Sequence, residues 1–361
     1  MKRLILPIFL LISSTTFGAV DTGDGSDLSC NWVGAIPSGT YNCTDLTTTG
    51  AITITGGNPL IIKVQGDVTI DHTISVAEGI AGGYGPGLGP ATLPGSEGSS
   101  ATNASCGGSS FADIGGSGGA GGSHTTLGSN GGSGVSSGPV DGSDTLSAPG
   151  STSVTYDSAL SLESQMLGGA GGGNGGGGCE QGGGTEPGGT PGGSGGGIIH
   201  IAAGGDMYIN ASILANGGAG QPGTTSASGD SGGSGGGAGG IIFLQANGNI
   251  ELNSALDASG GNGGAAGGVL GRAGGDGGDG IIRLDELDGV ITGVGGSYSP
   301  SPTIVTLGAS GFETLQSGIE PGCAVREDMT PNNESLLGAI VLMILLFGIN
   351  CLNIKKGKET C

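Results

Sequence analysis

Aromatic side chains make up 3% of this 361-residue chain, with one Trp, five Tyr and six Phe. Lys and Arg together number nine, and His three. So few large side chains do not build the core of a large compact enzyme. The scarcity of cations excludes nucleic acid as a partner, because phosphate contacts need basic clusters. Placement sharpens that reading. Lys2 and Arg3 open the chain, Lys355, Lys356 and Lys358 close it, and the long middle keeps Lys63, Arg272, Arg283 and Arg326. Against 30 acidic residues the formal net charge is -21. Such a charge keeps an exposed protein soluble or attracts cations.

What is abundant is glycine. Gly contributes 89 residues and Pro 15, a level that usually signals low-complexity disorder. A repeat argues that part of the chain folds anyway. Residues 197–218 read GIIHIAAGGDMYINASILANGG, and residues 240–261 read GIIFLQANGNIELNSALDASGG. An earlier copy spans 60–79, aligned as two residues shorter at its first bend, and a fading fourth begins at Gly280. Aligned apolar pairs are Ile62/Val64, Ile199/Ile201, Ile242/Leu244 and Ile282/Leu284; then Val68/Ile70, Met207/Ile209 and Ile250/Leu252; then Ile74/Val76, Ile213/Ala215 and Leu256/Ala258. Alternation over short segments bounded by Gly, Asn or Asp predicts short strands with one buried face. Three strands in about 22 residues suit one coil of a parallel β-solenoid. The competing reading is an antiparallel sandwich. Asp71, Asn210 and Asn253 fall at one aligned bend, where such residues tolerate left-handed backbone and stacked side chains form a ladder. A lone coil buries too little to offset the ordering of its backbone, so the copies should stack.

Residues 1–19 read as a secretory signal: a short basic start, an apolar run from Leu4 to Ile12, then small residues. Residues 20–50 read as an N-terminal cap, with Cys30 and Cys43 bracketing a turn-rich loop that holds Trp32. Disulfides persist in exported proteins, which makes Cys30–Cys43 one candidate pair. The first coil is assigned to 51–80, a Gly-rich insertion to 81–196, and further coils with Gly-rich loops to 197–310. Within the insertion, runs such as GGSGGAGGS from Gly115 repeat every three residues. Two readings stand: flexible linker, or polyproline-II-like segments of three residues per turn packed through their Gly faces. Cys106 and Cys179 lie here as a second candidate pair, and a bridge between them favours order. Loops leaving every coil at one recurring position would line up on one side.

A polar spacer, 311–335, follows. Residues 336–354 then run without a charge, about 28 Å of helix, enough to cross a bilayer core. The basic tail 355–361 places that end in the cytoplasm and the repeats outside. Removal of the helix as part of a processing signal is a separate expectation.

Candidate chemistry is sparse. His72, His124 and His200 read as exposed residues without a role. Asp285, Glu286 and Asp288 beside Arg283 form the densest acidic group, but no spacing marks an acid/base pair. Enzyme activity and a resident cofactor are therefore not expected. Gly274, Gly275, Gly277 and Asp279 fill the GGxGxDxU pattern of calcium-binding turns, which makes Asp276 and Asp279 candidate Ca²⁺ ligands. Asp21, Asp24 and Asp27 lack the full spacing of an EF-hand loop and read as solvated.

The GIIxIxAxGxIxI…ANGG copies resemble coils of bacterial surface β-helix proteins, including filamentous-haemagglutinin-type adhesins. The Gly-rich runs are similar to the polyglycine helices of some phage-tail adhesins, and the tail from Cys323 resembles bacterial C-terminal sorting signals. These resemblances imply an exported, membrane-anchored, non-catalytic surface protein. Its Gly-rich face would meet a host-cell or envelope glycan or protein. A structural coat without a ligand, and an enzyme acting on extracellular polysaccharide, are the alternatives.

Overall fold

The computed structural model describes residues 20–317, except 86–87, 92–96, 107–111, 140–145, 147, 153, 157, 160–161, 163–164, 181–183, 186–188, 227–228, 287–288 and 308–313. The stretches read as signal peptide (1–19), membrane helix (336–354) and basic tail (355–361), and most of the 311–335 stretch read as a spacer, lie outside the described residues. Among the described residues no helix is long and apolar enough to cross a membrane.

Every described element is a strand. The chain opens with β1 (Cys30–Pro37), β2 (Thr40–Cys43) and β3 (Leu46–Thr55), then β4 (Leu60–Val64), β5 (Val68–Ile70) and β6 (Ile74–Ser75). A hairpin, β7 (Cys179–Glu180) and β8 (Gly184–Thr185), lies in the long insertion. The next coil is β9 (Ile198–Ala203), β10 (Met207–Ile209) and β11 (Ile213–Leu214). A second hairpin, β12 (Thr225–Ser226) and β13 (Gly229–Asp230), precedes β14 (Ile241–Ala246), β15 (Ile250–Leu252) and β16 (Ala255–Asp257). The chain ends with β17 (Ile281–Glu286), β18 (Ser297–Ser299), β19 (Thr303–Thr306) and β20 (Thr314–Ser317). Three sheets collect equivalent strands of successive coils, in the orders β1-β3-β5-β10-β15, β2-β4-β9-β14-β17-β19-β20 and β18-β16-β11-β6. Within these three sheets every described pairing is parallel except that of β20, which returns antiparallel against β19. The arrangement is all-β and parallel, compatible with a β-solenoid, and differs from an antiparallel sandwich.

Register explains the repeat. Val68, Met207 and Ile250 stack, as do Ile70, Ile209 and Leu252, and Ile74, Ile213 and Leu256. All are buried in one continuous core. The first copy carries a correction. Ile199 pairs with Leu60 and Ile201 with Ile62, so Val64 meets Ala203 and no residues are missing at the bend. A two-residue slip maps inward residues onto inward residues, so a period-two pattern cannot detect it. The aligned polar bend forms the expected ladder: Asn253 Nδ2 donates to Asn210 Oδ1 (3.0 Å), and Asn210 Nδ2 to Asp71 Oδ1 (2.8 Å). Thr48 Oγ1 extends it, accepting from the amides of Asp71 and His72.

At the N-terminal end, the Cys30–Cys43 disulfide joins β1 to β2, and buried Trp32 meets Tyr41 edge-on at 5.1 Å. The first residues of the stretch assigned to the first coil, 51–55, instead continue β3, and Ile52–Thr55 pair with Gly34–Pro37 of β1. Strand β20 falls inside the stretch assigned to the spacer.

Each Gly-rich excursion leaves after the third sheet and re-enters at the second. One hydrogen bond closes that corner in every coil: Gly197 N–H to Val76 O, Gly240 N–H to Ala215 O, and Gly280 N–H to Ala258 O. The excursions are packed, not slack. Every amide from Ser231 to Gly240 donates to a neighbouring backbone carbonyl at 2.7–3.0 Å, and the direction turns with a three-residue period. Ser231, Ser234, Gly237 and Gly240 donate to the 215–224 segment; Gly232, Gly235 and Ala238 to 170–176; Gly233, Gly236 and Gly239 to 272–278. Carbonyls between Asp230 and Ala238 accept from 116–122, 193–196 and 261–267. Six neighbours thus surround one extended segment, a hexagonal array in which every amide of the segment is satisfied. Glycine is compulsory at such spacing: a Cβ on Gly235 would lie 1.7 Å from Ala120 O.

Candidate functional site

The packed segments fix where the turns between them fall. Segments 98–104, 168–178, 216–223 and 259–267 run outward from the coils, and their partners run back. The outer turns therefore gather at one end of the bundle. Ile114 and Cys179 exchange backbone hydrogen bonds there (2.9 and 2.8 Å), and Ser137 N–H donates to Asp113 O. Leu270 N–H donates to Asp230 Oδ2 (2.9 Å), which ties the 268–271 turn to the β12–β13 hairpin. The Cys106–Cys179 disulfide crosses the same end, buried with Ala104 and Ile114 in a small cluster. Gly268 takes φ +59° beside the Asp230 carboxylate, where a side chain would be both strained and crowded. Val269 and Leu146 expose their side chains. The result is a composite tip of adjoining loops on a rigid stalk, a common way to present a contact surface.

The calcium candidates sit along the flank of the bundle. Asp276 Oδ1 accepts from Gly263 N–H at 2.7 Å, and Asp279 Oδ1 from Gly260 N–H at 3.3 Å. The two carboxylates are engaged by backbone amides, and among the described residues no group of three His, Cys, Asp or Glu side chains is placed to hold a metal. Near the N-terminus each Asp has its own partner. Asp21 pairs with Lys63, whose hydrogen bond holds the carboxyl below its ordinary pKa. Asp24 accepts from Ser26 N–H and Asp27 from Asn42 N–H.

The acidic group beside Arg283 is closed off from solvent; Asp288 lies outside the described residues. Arg283 and Asp285 alternate on the outer face of β17, and the guanidinium grips the carboxylate with two bonds of 2.7 and 2.8 Å. Arg283 Nη1 also donates to Ala159 O (2.6 Å), and its guanidinium lies 4.9 Å from the Phe243 ring centroid. Leu162, with Ala159 and Met166, packs over Ile198, Ile241, Phe243 and Ile281. Ala159, Leu162 and Met166 thus form a cover on the second sheet. Glu286 accepts from the amides of Ile250 and Val290. Buried pairing of this kind organises the sheet.

The histidines differ from the expectation of solvent exposure. His124 is fully buried against Tyr156, with ring centroids 4.8 Å apart. His200 stacks on Phe243 at 4.6 Å, and its Nε2 meets Gln245 Oε1 at 2.8 Å. Gln245 Nε2 donates onward to Asp285, so a polar chain runs across three coils. Burial lowers the His200 pKa, partly opposed by the Gln245 bond. His72 sits at the bend, its Nδ1 3.2 Å from Thr48 O. The physical reason for these differences is the cover and the bundle base, neither of which is a feature of the repeat itself.

A cleft of about 340 Å³ opens beside the start of β17, lined by Thr125, Ala159, Ile282, Pro300 and Thr303 among others. Its lining carries hydroxyl and aliphatic groups and no titratable side chain. Sequence reasoning missed Ser117, Ser231 and Ser234, whose hydroxyls cap the amides of Gly134, Thr224 and Gln221. The three-residue spacing of Ser231 and Ser234 was the available signal. The chain matches no known family, curated protein or solved structure.

Proposed function

We propose that this chain is an exported, membrane-anchored surface protein that binds through the composite tip of its Gly-rich bundle. The stacked coils act as a β-solenoid platform, residues 336–354 anchor it, and the basic tail 355–361 stays inside. The observation that supports the reading is convergence: Cys106, Ile114 and Cys179 meet at the end where Leu270 N–H donates to Asp230, braced by Cys106–Cys179. A saturated backbone array keeps that end in place while its loops remain free to vary. The expected partner is a glycan or protein of a host cell or envelope, and the enclosed Arg283–Asp285 pair favours binding over catalysis.

Removing the whole insertion is a poor test, because residues 116–122 and 170–176 bond directly to the central segment. Exchange of residues 225–229 and 268–269 for short Gly-Ser turns keeps Thr224 and Asp230, whose carbonyls accept from Ser231 and Gly116, in the array. Display of both proteins on cells, followed by adhesion to host surfaces and glycan arrays, separates the readings. Lost adhesion with an unchanged melting temperature supports the tip. Unchanged adhesion removes it and favours a coat or spacer, a role to which the self-satisfied bundle is also suited.

A further inference from the structure

Arrays of regularly spaced backbone groups carry a liability at their rims. An open row of N–H groups is a template for another chain, and sheets blunt such rows with charges or cover. The polyglycine bundle has rims of the same kind, repeating every three residues. Segment 258–267 lies on one. Its amides at Gly261, Gly264 and Gly267 donate to the central segment. Its carbonyls at Ser259, Asn262 and Ala265 accept from Gly217, Gly220 and Gly223, and those at Ala258, Gly261 and Gly264 from Gly280, Gly277 and Gly274. The amides of Gly260 and Gly263 belong to another row, one turn apart. They donate to carboxylates, not to backbone: Gly263 to Asp276 at 2.7 Å and Gly260 to Asp279 at 3.3 Å.

We propose that this flank is a latent self-association surface, fitted to a polyglycine segment of a second copy, and that Asp276 and Asp279 keep it closed by occupying its amides. The two carboxylates stand one turn apart on a segment antiparallel to 258–267, so both fall opposite the same row. The backbone bonds that pair these segments run through Gly274, Gly277 and Gly280, so the lattice does not need Asp at 276 or 279. An ionised carboxylate only accepts. It satisfies the amide and offers no donor to an incoming chain. The occupant is a second copy because its outer Gly-rich segments carry carbonyls at the same three-residue spacing, continuous with the array already formed.

The test compares the full chain in detergent micelles as wild type, Asp276→Ala/Asp279→Ala and Asp276→Asn/Asp279→Asn, by sedimentation over a wide concentration range. The Ala variant should self-associate roughly tenfold more tightly, the equivalent of one to two new hydrogen bonds. The Asn variant, whose side-chain oxygens still accept from Gly260 and Gly263, should sediment like wild type. An Ala variant as dispersed as wild type overturns the proposal. So does an Asn variant that associates as strongly as Ala, because charge would then be what keeps copies apart. If the double Ala variant loses its cooperative melting, Asp276→Ala against Asp276→Asn repeats the comparison at Gly263 alone, with the same two outcomes deciding.

Discussion

Gly235→Ala separates a packed bundle from a flexible linker by the sign of its effect. In a linker the substitution is neutral or stabilising by about 0.4–1 kcal/mol, because Ala restricts the unfolded chain. In the packed bundle the new Cβ would lie 1.7 Å from Ala120 O, 2.2 Å from Ala120 C and 2.8 Å from Gly121 N. Relief requires a shift of roughly 1.5 Å between the two segments to reach ordinary contact. Three bonds meet there: Gly235 N–H to Gly173 O, Gly173 N–H to Ala120 O, and Ala120 N–H to Ser99 O. Overpacking costs about 1–3 kcal/mol, and loss of two or three bonds adds about 0.5–1.5 kcal/mol each. The expected destabilisation is roughly 2–7 kcal/mol, a fall in melting temperature of about 3–12 °C. The control is Gly85→Ala, whose added Cβ meets only Leu88 at an ordinary 3.6 Å; it should melt within about 1 °C of wild type. Thermal unfolding followed by circular dichroism reads both. A Gly235→Ala protein that melts with or above wild type refutes the packed array.

Reduction or Ser substitution of Cys106 and Cys179 opens a loop with a sequence separation of 73, worth about 4 kcal/mol on the chain-entropy account. Limited proteolysis should then cut first near residues 104–114 and 179–189, with the stacked coils still protected. Arg283→Ala leaves Asp285 buried without its cation and should cost about 3–5 kcal/mol. A denaturation midpoint equal to wild type would show that the pair contributes nothing. Burial lowers the His200 pKa in the folded state, so the unfolded chain takes up its proton first as pH falls through the ordinary value of 6.5. Stability from this group is present above that pH and lost below it. His200→Gln should therefore flatten the fall in melting temperature between about pH 7 and 5, and an unchanged slope would discount His200.

The stacking of the coils was legible in the sequence. Inward residues recur with period two, bends carry Asn or Asp, and Ile213 and Leu256 meet as the alignment requires. The register of the first copy was not legible, because a slip of two preserves that pattern. Nor was the state of the Gly-rich runs. Glycine lacks the side chain that would mark an inward face, and the bonds that decide order are distant in sequence, as between Gly116 and Asp230 or Gly275 and Gly119. The cysteines were visible as candidates, yet only the folded chain brings Cys106 to Cys179. Asp276 and Asp279 matched a calcium pattern because local spacing can suggest a turn. Only tertiary packing places the Gly263 and Gly260 amides on those carboxylates. Local periodicity set the coil, while the bundle, its tip and its guarded flank arose from contacts that no local window contains.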